Sequence, residues 1–412
     1  MERTILHCDL NNFYAGVACK KDPGLRGKPV AVCGNPAHRH GIVLSKSQEA
    51  KKYGVKTGDV LWEAQQKCPG LIPVLPDFPA YLKFSREVQN IYRQYTDQVE
   101  PFGIDECWLD VTGSRRLFGD GAHIAEELRH RLVREMDLTI SVGVSFNKIF
   151  AKLGSDMKKP DQTTLISREN YQKSVWPLPV EALLMVGRST KKKLNQYGIY
   201  TIGDLARGSV SALEKLLGIN GPKLRRYARG EDDSPVLRES ELPEAKSVGQ
   251  GITCTRDLRT PEEALQIIHF LAQRVSRRLR ENRVMAGSLS LYLRRSDLSG
   301  LCHQLHFVQP CRSSQELAQA AWELLEQHYD WELPIRAVSI QAGSLRTEDG
   351  PCQQALWDLQ LPLEQQERLE AVADQLRRRF GPDSICRASL LSRPAVPEIY
   401  QGDFSVLPGS RV

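Results

Sequence analysis

The chain has 412 residues, 41% of them apolar and 26% charged, with a net charge of +6. That length exceeds one compact core, so about two to four globular domains are expected, and the charge is only mildly basic. No apolar run approaches the ~18–20 residues of a membrane span, the opening MERTILHCDL is too short in apolar residues for a signal peptide, and the ten cysteines contain no CxxC, which excludes a zinc ribbon or small disulfide scaffold and points to a reduced, cytosolic protein.

RTILHCDL reads as a buried strand ending near Asp9, and NNFYAGVACKK opens a helix with Asn11 or Asn12 as cap. GKPVAVCG is a second strand, and GIVLSKSQEAKKYGV runs from strand into a short helix. Tyr81, Phe84, Val88, Ile91 and Tyr95 recur at helical spacing. FGIDECWLDVTG, residues 102–113, reads as part of a hairpin; AHIAEELRHRLVREM is an amphipathic helix and LTISVGVS a strand. Strand, helix, hairpin, helix, strand is the split βαβ, ferredoxin-like order, with extra strands inserted after the first helix.

Beyond about residue 170 helical patterns dominate, and residues 168–240 carry 13 Lys/Arg against 8 Asp/Glu, a net of +5 that suits an anionic partner or a merely solvated face. ESELPEAK reads as a polar linker. A second βαββαβ pattern follows: strand 247–255, helix 261–282, strands 287–294 and 303–308, helix 313–328, strand 335–342. One more amphipathic helix, EQQERLEAVADQLRRRF, precedes a Pro/Gly/Ser-rich tail whose composition predicts disorder.

Asp105 and Glu106 stand side by side among apolar neighbours, and a buried charge is costly unless it is paired or binds a metal. An exposed turn or a salt bridge is the plain alternative. Asp9, at the end of the first strand, could face the same turn. Neighbours on a regular strand point to opposite faces, so Asp105 and Glu106 can share a site only at a strand end or a bulge, which Gly103 could permit. Convergent carboxylates need cations, and hard oxygen ligands suggest Mg²⁺, two ions ~4 Å apart serving phosphoryl transfer. Residues 142–162 turn from a strand into a helix carrying Asn147, Lys148 and Lys152 and close with Lys158 and Lys159 before Pro160, lysines that serve as phosphate-binding charges or as a solvated face. MVGRSTKKKLNQYGI, with Gly187, and LLGINGPKLRRYARG, with Gly218 and Gly221, place glycine turns before basic helices, as helix-hairpin-helix elements do.

Together DLNNFYA, LRGKPVAV, EAKKYGVKTG, IDECWLD, VGVSFNKIFAKLGSDMKKP, the two hairpins and KSVGQGIT resemble, in order from about Thr4 to Arg346, the Y-family translesion DNA polymerases, and most closely their bacterial DNA polymerase IV group. The resemblance implies an α/β multidomain right hand: a ferredoxin-like palm (1–20 and 77–167), small fingers (21–76), a helical thumb with helix-hairpin-helix elements (168–238), a linker (239–245), a βαββαβ little finger (246–346) and a C-terminal helix and tail (347–412). It implies low-fidelity, template-directed synthesis without proofreading. Asp9, Asp105, Glu106 and the Leu10 carbonyl would hold two Mg²⁺ ions, and Tyr14 would be a steric gate beneath the incoming sugar, packed beside Phe13. Ser45, Lys51 and Lys159 would meet the nucleotide; Asn147, Lys148, Lys152, Gly187, Gly218, Gly221, Lys246 and Ser247 would meet DNA.

Departures from the family pattern are Asn11 for a common Asp, Gln48 and Lys51 for a common Tyr and Arg, Gly103 for a common Ser, and the bulky Leu44 over the nascent base pair. Lys cannot reproduce the bidentate fork of Arg, which bears on nucleotide affinity. Primer–template DNA and dNTPs are the implied partners of a cytoplasmic monomer. A sliding clamp is a further candidate through the segment near Gln360, which lacks the usual terminal aromatic. The competing expectations are a non-catalytic DNA-binding protein that kept the fold, and a nucleotidyl cyclase, which would not need the basic hairpins.

Overall fold

All six residues of ILHCDL are buried, so the strand they form, β1 (Ile5–Leu10), is covered on both faces. The structure, a computed structural model, describes residues 2–35, 39, 41–348, 360–381, 384–390 and 395–396. It divides into two compact units, one holding residues 1–32 and 43–242, the other 33–42 and 243–405.

After β1 come α1 (Phe13–Lys21), β2 (Val30–Cys33), β3 (Val43–Lys46), α2 (Gln48–Lys52), α3 (Leu61–Lys67), β4 (Ile72–Val74), α4 (Phe78–Tyr92), β5 (Val99–Pro101), β6 (Glu106–Asp110), α5 (Arg115–Phe118), α6 (Gly121–Arg131), β7 (Ile140–Ser145), α7 (Lys148–Met157), β8 (Thr163–Ile166) and α8 (Tyr171–Ser174). Four helices follow: α9 (Arg188–Gln196), α10 (Ile202–Arg207), α11 (Val210–Leu217) and α12 (Asn220–Ala228). Among the described residues the main sheet has the order β5-β6-β1-β7-β8. β1 runs antiparallel to both neighbours, which sets Asp9 opposite Glu106 on one side and Ser141 on the other. This is the expected split βαβ arrangement with β1 central. The edge strand β8, parallel to β7, was not expected, because four residues after a lysine-rich turn carry little periodicity.

α7 lies directly on β7. A Cβ at Gly143 would stand 1.9 Å from the Ala151 carbonyl oxygen and 2.5 Å from the Ser155 nitrogen, so only glycine allows the approach. At the start of α1 the expected cap differs: Asn12 holds the N-cap position with φ 49° but its side chain caps nothing. Asn11 instead donates from Nδ2 to Ser141 Oγ at 2.9 Å and accepts from the Asp161 amide at 2.8 Å. α4 is capped by Asp77 and ends at Tyr92, so Tyr95 packs from a turn rather than from the helix. Helices α9 to α12 share one apolar core with Phe146 and Phe150, through Leu194, Ile202, Leu205, Leu213 and Leu224.

The second unit contains β9 (Val248–Leu258), α13 (Pro261–Glu281), β10 (Val284–Arg295), β11 (Gly300–Cys311), α14 (Ser314–His328), β12 (Ile335–Gly343), β13 (Arg346–Thr347) and α15 (Gln360–Phe380). Its sheet order is β11-β10-β12-β9, with α13 and α14 packed on the sheet through Ile267, Leu271, Val275, Leu324 and Leu325. α15 is joined to α13 by charge: Arg280 pairs with Glu370 at 2.5 Å and Asp374 at 2.6 Å. Gln360 opens this helix, while 355–359 of the segment proposed for a clamp and the tail from 397 lie outside the described residues. Among the described residues no helix is long and apolar enough to cross a membrane.

Candidate active site

One cleft of ≈ 510 Å³ is lined by Asp9, Leu10, Phe13, Tyr14, Ser45, Lys51, Asp105, Glu106 and Lys159, all expected at the site, together with Asn11, Asn12, Leu44, Lys46, Gln48 and Thr57. Its floor is the end of the sheet. Glu106 is the first residue of β6, and Asp105 precedes the strand, its carbonyl accepting from the Leu10 amide at 2.9 Å. The strand end thus lets two adjacent carboxylates face one space, as the alternation of side chains requires. One wall is α2, whose N-cap Ser47 accepts from the Ala50 amide at 3.3 Å and from the Val30 amide at 3.0 Å. Gln48 and Lys51 project from that helix, and Lys46 Nζ donates to Thr57 Oγ1 at 3.0 Å beside it.

Tyr14 lies against Tyr81 of α4, ring centroids 4.1 Å apart and planes 14° from parallel, with Phe13 tilted at 5.7 Å and Phe78 edge-on at 6.0 Å. Phe13 was expected to hold this ring; the closer support is Tyr81. Burial, then the Asp105 charge, pushes the Tyr14 hydroxyl up to about 12, so it stays protonated at neutral pH.

The carboxylates differ in state. Burial, then the charges of Asp9 and Glu106, pushes Asp105 up to about 7. Asp9 is also raised by burial, though Lys159 opposes this from 2.6 Å. For Glu106 burial is outweighed by the hydrogen bond from His7 and by Lys152, and its carboxyl falls to about 2. Lys152 Nζ is 2.5 Å from Glu106 Oε2 and 3.8 Å from Asp9 Oδ2. Two lysines therefore neutralise part of the cluster, and Asp105 is the carboxyl with no lysine beside it at ion-pair distance among the described residues. Hard oxygen donors with one strained, uncompensated carboxyl fit a divalent cation in chemistry. Among the described residues no group of three acidic, His or Cys side chains is closed up enough to hold a metal ion as it stands, although Asp9, Asp105 and Glu106 line the same cleft.

Residues 8–156 match the impB/mucB/samB family, residues 245–356 that family's C-terminal domain, and residues 182–232 the thumb domain of DNA polymerase-iota. DNA polymerase IV of Acetivibrio thermocellus is 46% identical over 392 residues, 95% of this chain and 98% of its own. That of Bacillus velezensis is 37% identical over 398 residues, 95% of this chain and 94% of its own. The chain belongs to the DNA polymerase IV group of the Y-family. A solved Y-family polymerase chimera shares the fold at a TM-score of 0.74, covering 84% of this chain and 99% of its own at 23% identity. Membership brings the right-hand fold and a dependence on divalent cations.

In this Y-family chain several expected DNA contacts are used inside the protein. Asn147 is fully buried: its Oδ1 accepts from the Phe150 amide at 2.8 Å, capping α7, and its Nδ2 donates to the Gly230 carbonyl at 3.0 Å. Both ends of the amide are occupied within the protein. Lys148 is also turned inward, its Nζ 2.6 Å from Glu100 Oε2, 3.3 Å from the Pro235 carbonyl and 4.5 Å from the Trp108 ring centre. Lys152 points into the carboxylate cluster. In the first hairpin Gly187 has an ordinary φ of −80° and open space around it, while Met185, where a glycine is usual, takes φ 72°. In the second, Gly218 has φ 63°, and Gly221 is a packing glycine whose Cβ would stand 2.2 Å from the Leu213 carbonyl oxygen. Lys246 is exposed just before β9, and Ser247 Oγ accepts from Gln341 Nε2 at 2.8 Å.

Sequence reasoning missed Tyr81 and His7. Tyr81 was read only as one apolar position of a helix. His7 lies two residues before Asp9, on the same face of β1 by strand alternation, and that spacing was the available signal.

Proposed function

We propose that this chain carries out template-directed, low-fidelity DNA synthesis, joining the α-phosphate of a dNTP to a primer 3′-oxygen with release of pyrophosphate and no proofreading, as a translesion polymerase in DNA damage tolerance. The observation that carries the reading is the cleft itself: three carboxylates at a strand end, an aromatic platform at Tyr14, and Ser45, Lys51 and Lys159 around the same space. Two Mg²⁺ ions held by Asp9, Asp105, Glu106 and the Leu10 carbonyl would supply the charge that activates the 3′-oxygen and steadies the leaving pyrophosphate. Lys159 would exchange its bond to Asp9 for the triphosphate, with Lys51 and Ser45 placing the same group. Tyr14 would exclude a 2′-hydroxyl.

Within this reading residues 1–20 and 77–167 form the palm, 21–76 the fingers, 168–238 the thumb, 239–245 a linker and 246–346 the little finger. The turns at Gly187, Gly218 and Gly221, with Lys246 and Ser247, track the DNA backbone. The chain works in the cytoplasm as a monomer, with a sliding clamp as a further partner through the segment at Gln360. Primer extension with Mg²⁺ tests the proposal. Template-directed extension by the parent and its loss in Glu106→Ala, with duplex binding retained, are expected; no extension by the parent on any primer–template, despite tight DNA binding, would turn the reading to a non-catalytic DNA-binding protein.

A further inference from the structure

Strand β3 ends at Lys46, and its side chains alternate: Val43 and Ser45 are buried, while Leu44 and Lys46 are half-buried on the other face. Leu44 and Lys46 both line the cleft, so an ammonium stands in the wall that β3 and α2 make together. Its place is fixed. Lys46 Nζ donates to Thr57 Oγ1 at 3.0 Å. The turn that carries Thr57 is pinned along β3, because the Gly58 amide donates to the Val43 carbonyl at 2.9 Å and the Val43 amide donates to the Asp59 carbonyl at 2.9 Å. An ammonium has three N–H donors, and Thr57 takes one of them.

The charge has no counter-ion. Among the described residues no carboxylate lies within ion-pair distance of Lys46. Asp59, which acts on it from further off, is taken by Lys67 at 2.7 Å. Thr57 is neutral and cannot offset the charge. Burial, then the Lys51 charge, lowers the affinity of Lys46 for its proton; Asp59 opposes this and Lys159 adds to it. Lys46, Lys51 and Lys159 are thus close enough to act on one another across one space. The cleft has two kinds of wall. At the sheet end, Asp9 and Glu106 are matched by Lys159 and Lys152. On the β3 and α2 side, Lys46 and Lys51 are both cations. Like charges held together cost energy in the empty cleft, and a polyanion seated between them removes that cost. A lysine meets phosphate as a point charge and needs no fixed fork, so several lysines can share one triphosphate.

We propose that Lys46 is a further nucleotide-binding residue, its ammonium held at the cleft wall by Thr57 to meet the phosphates of the incoming dNTP together with Lys51 and Lys159. The proposal rests on reading this cleft as the dNTP site. Leu44, on the same face of β3, leaves the apolar part of the ligand to the other end of the strand.

The test measures equilibrium binding of each of the four dNTPs to the full chain on a primer–template whose primer ends in a dideoxynucleotide, so that no bond forms. Lys46→Met keeps the aliphatic stem and removes the charge. It should weaken binding about tenfold, the order of one charge-assisted contact. The factor should be the same for all four dNTPs, since the phosphates are common to them. Lys46→Arg keeps the charge and should stay within about threefold of the parent. Should Lys46→Met melt well below the parent, Lys46→Gln is measured in its place by the same criteria. Unchanged dNTP affinity without the charge would overturn the proposal. So would equal losses in Lys46→Arg and Lys46→Met, a loss that depends on the base, or a loss of primer–template affinity in place of dNTP affinity. Lys159→Ala is the control that separates the two readings. If it loses dNTP affinity while Lys46→Met does not, only the role of Lys46 fails; if neither variant loses affinity, the reading of the cleft fails.

Discussion

Tyr81 stacks face to face on Tyr14, 4.1 Å between ring centres, and so forms the backing of the ring proposed to face the incoming sugar. A steric barrier against a single hydroxyl works only if it cannot recede, and here the rigidity comes from a second helix rather than from Phe13. Tyr81→Leu should therefore lower discrimination against ribonucleotides while dNTP incorporation continues. Tyr81→Phe, which keeps the stack, should leave selectivity as in the parent. Paired kcat/KM values for a dNTP and its ribonucleotide check this, and unchanged selectivity in Tyr81→Leu would remove Tyr81 from the gate.

Tyr14→Ala should admit ribonucleotides with chemistry intact. A tyrosine that served only to fill space would instead cost about 3–5 kcal/mol and all activity together. Single-turnover incorporation of both nucleotide types by a folded Tyr14→Ala variant separates the outcomes.

Asp105 sets stability against function. Its carboxyl is raised from 3.8 to about 7, so the folded, metal-free chain holds this proton more tightly than the unfolded chain. Stability contributed by the protonated form is present at low pH and is lost as pH rises from about 4 through 7, after which the penalty is constant. Asp105→Asn should raise the melting temperature of the metal-free protein at pH 8 and abolish extension. The stabilisation by added Mg²⁺ should be smaller in the variant than in the parent. A lower melting temperature in Asp105→Asn at pH 8 would contradict the assignment.

Lys148→Ala should act on stability before DNA. It leaves Glu100 half-buried without its lysine, a change of about 3–5 kcal/mol when one partner of a buried pair is removed. Lysines that contact phosphate contribute to the salt dependence of DNA binding. The slope of log affinity against log salt should therefore be the same in Lys148→Ala and the parent. A shallower slope by about one unit would return Lys148 to the DNA interface.

The two hairpins predict opposite responses to small changes. Met185 holds a left-handed backbone that costs an ordinary residue roughly 1–2 kcal/mol. Met185→Gly should match or slightly exceed the parent in thermal stability, and Met185→Ile should fall below it. Gly221→Ala should destabilise the helical region sharply, because its new methyl meets the Leu213 carbonyl. Thermal melts of the three variants check the series.

The order of strands and helices was legible because apolar periodicity differs between them, and both βαββαβ patterns in the sequence correspond to the observed sheets. The convergence of Asp9 with Asp105 and Glu106 was legible too, since a split βαβ order places β1 beside the hairpin strand. Side-chain direction was not. Lys148, Lys152 and Asn147 read alike as polar residues at a helix start, yet one is buried against Glu100, one faces carboxylates and one caps the helix. Which way each turns depends on residues 40 to 90 positions away, such as Glu100 and Gly230, and no local pattern encodes those distances. Tyr81 was hidden for the same reason: a helical stripe announces burial but not which ring it will meet.

The absent side chain at Gly143 works as a spacer gauge. It sets how far α7 stands from the sheet, and α7 carries Lys152 and Ser155 towards the carboxylates while its cap, Asn147, is tied to Gly230 after the last of the basic helices. Any larger residue at this one position would shift charge balance in the cleft and the anchoring of the basic helices in the same displacement. A lesion that adds no charge and lines no cleft would thus disturb two distant parts of the unit together.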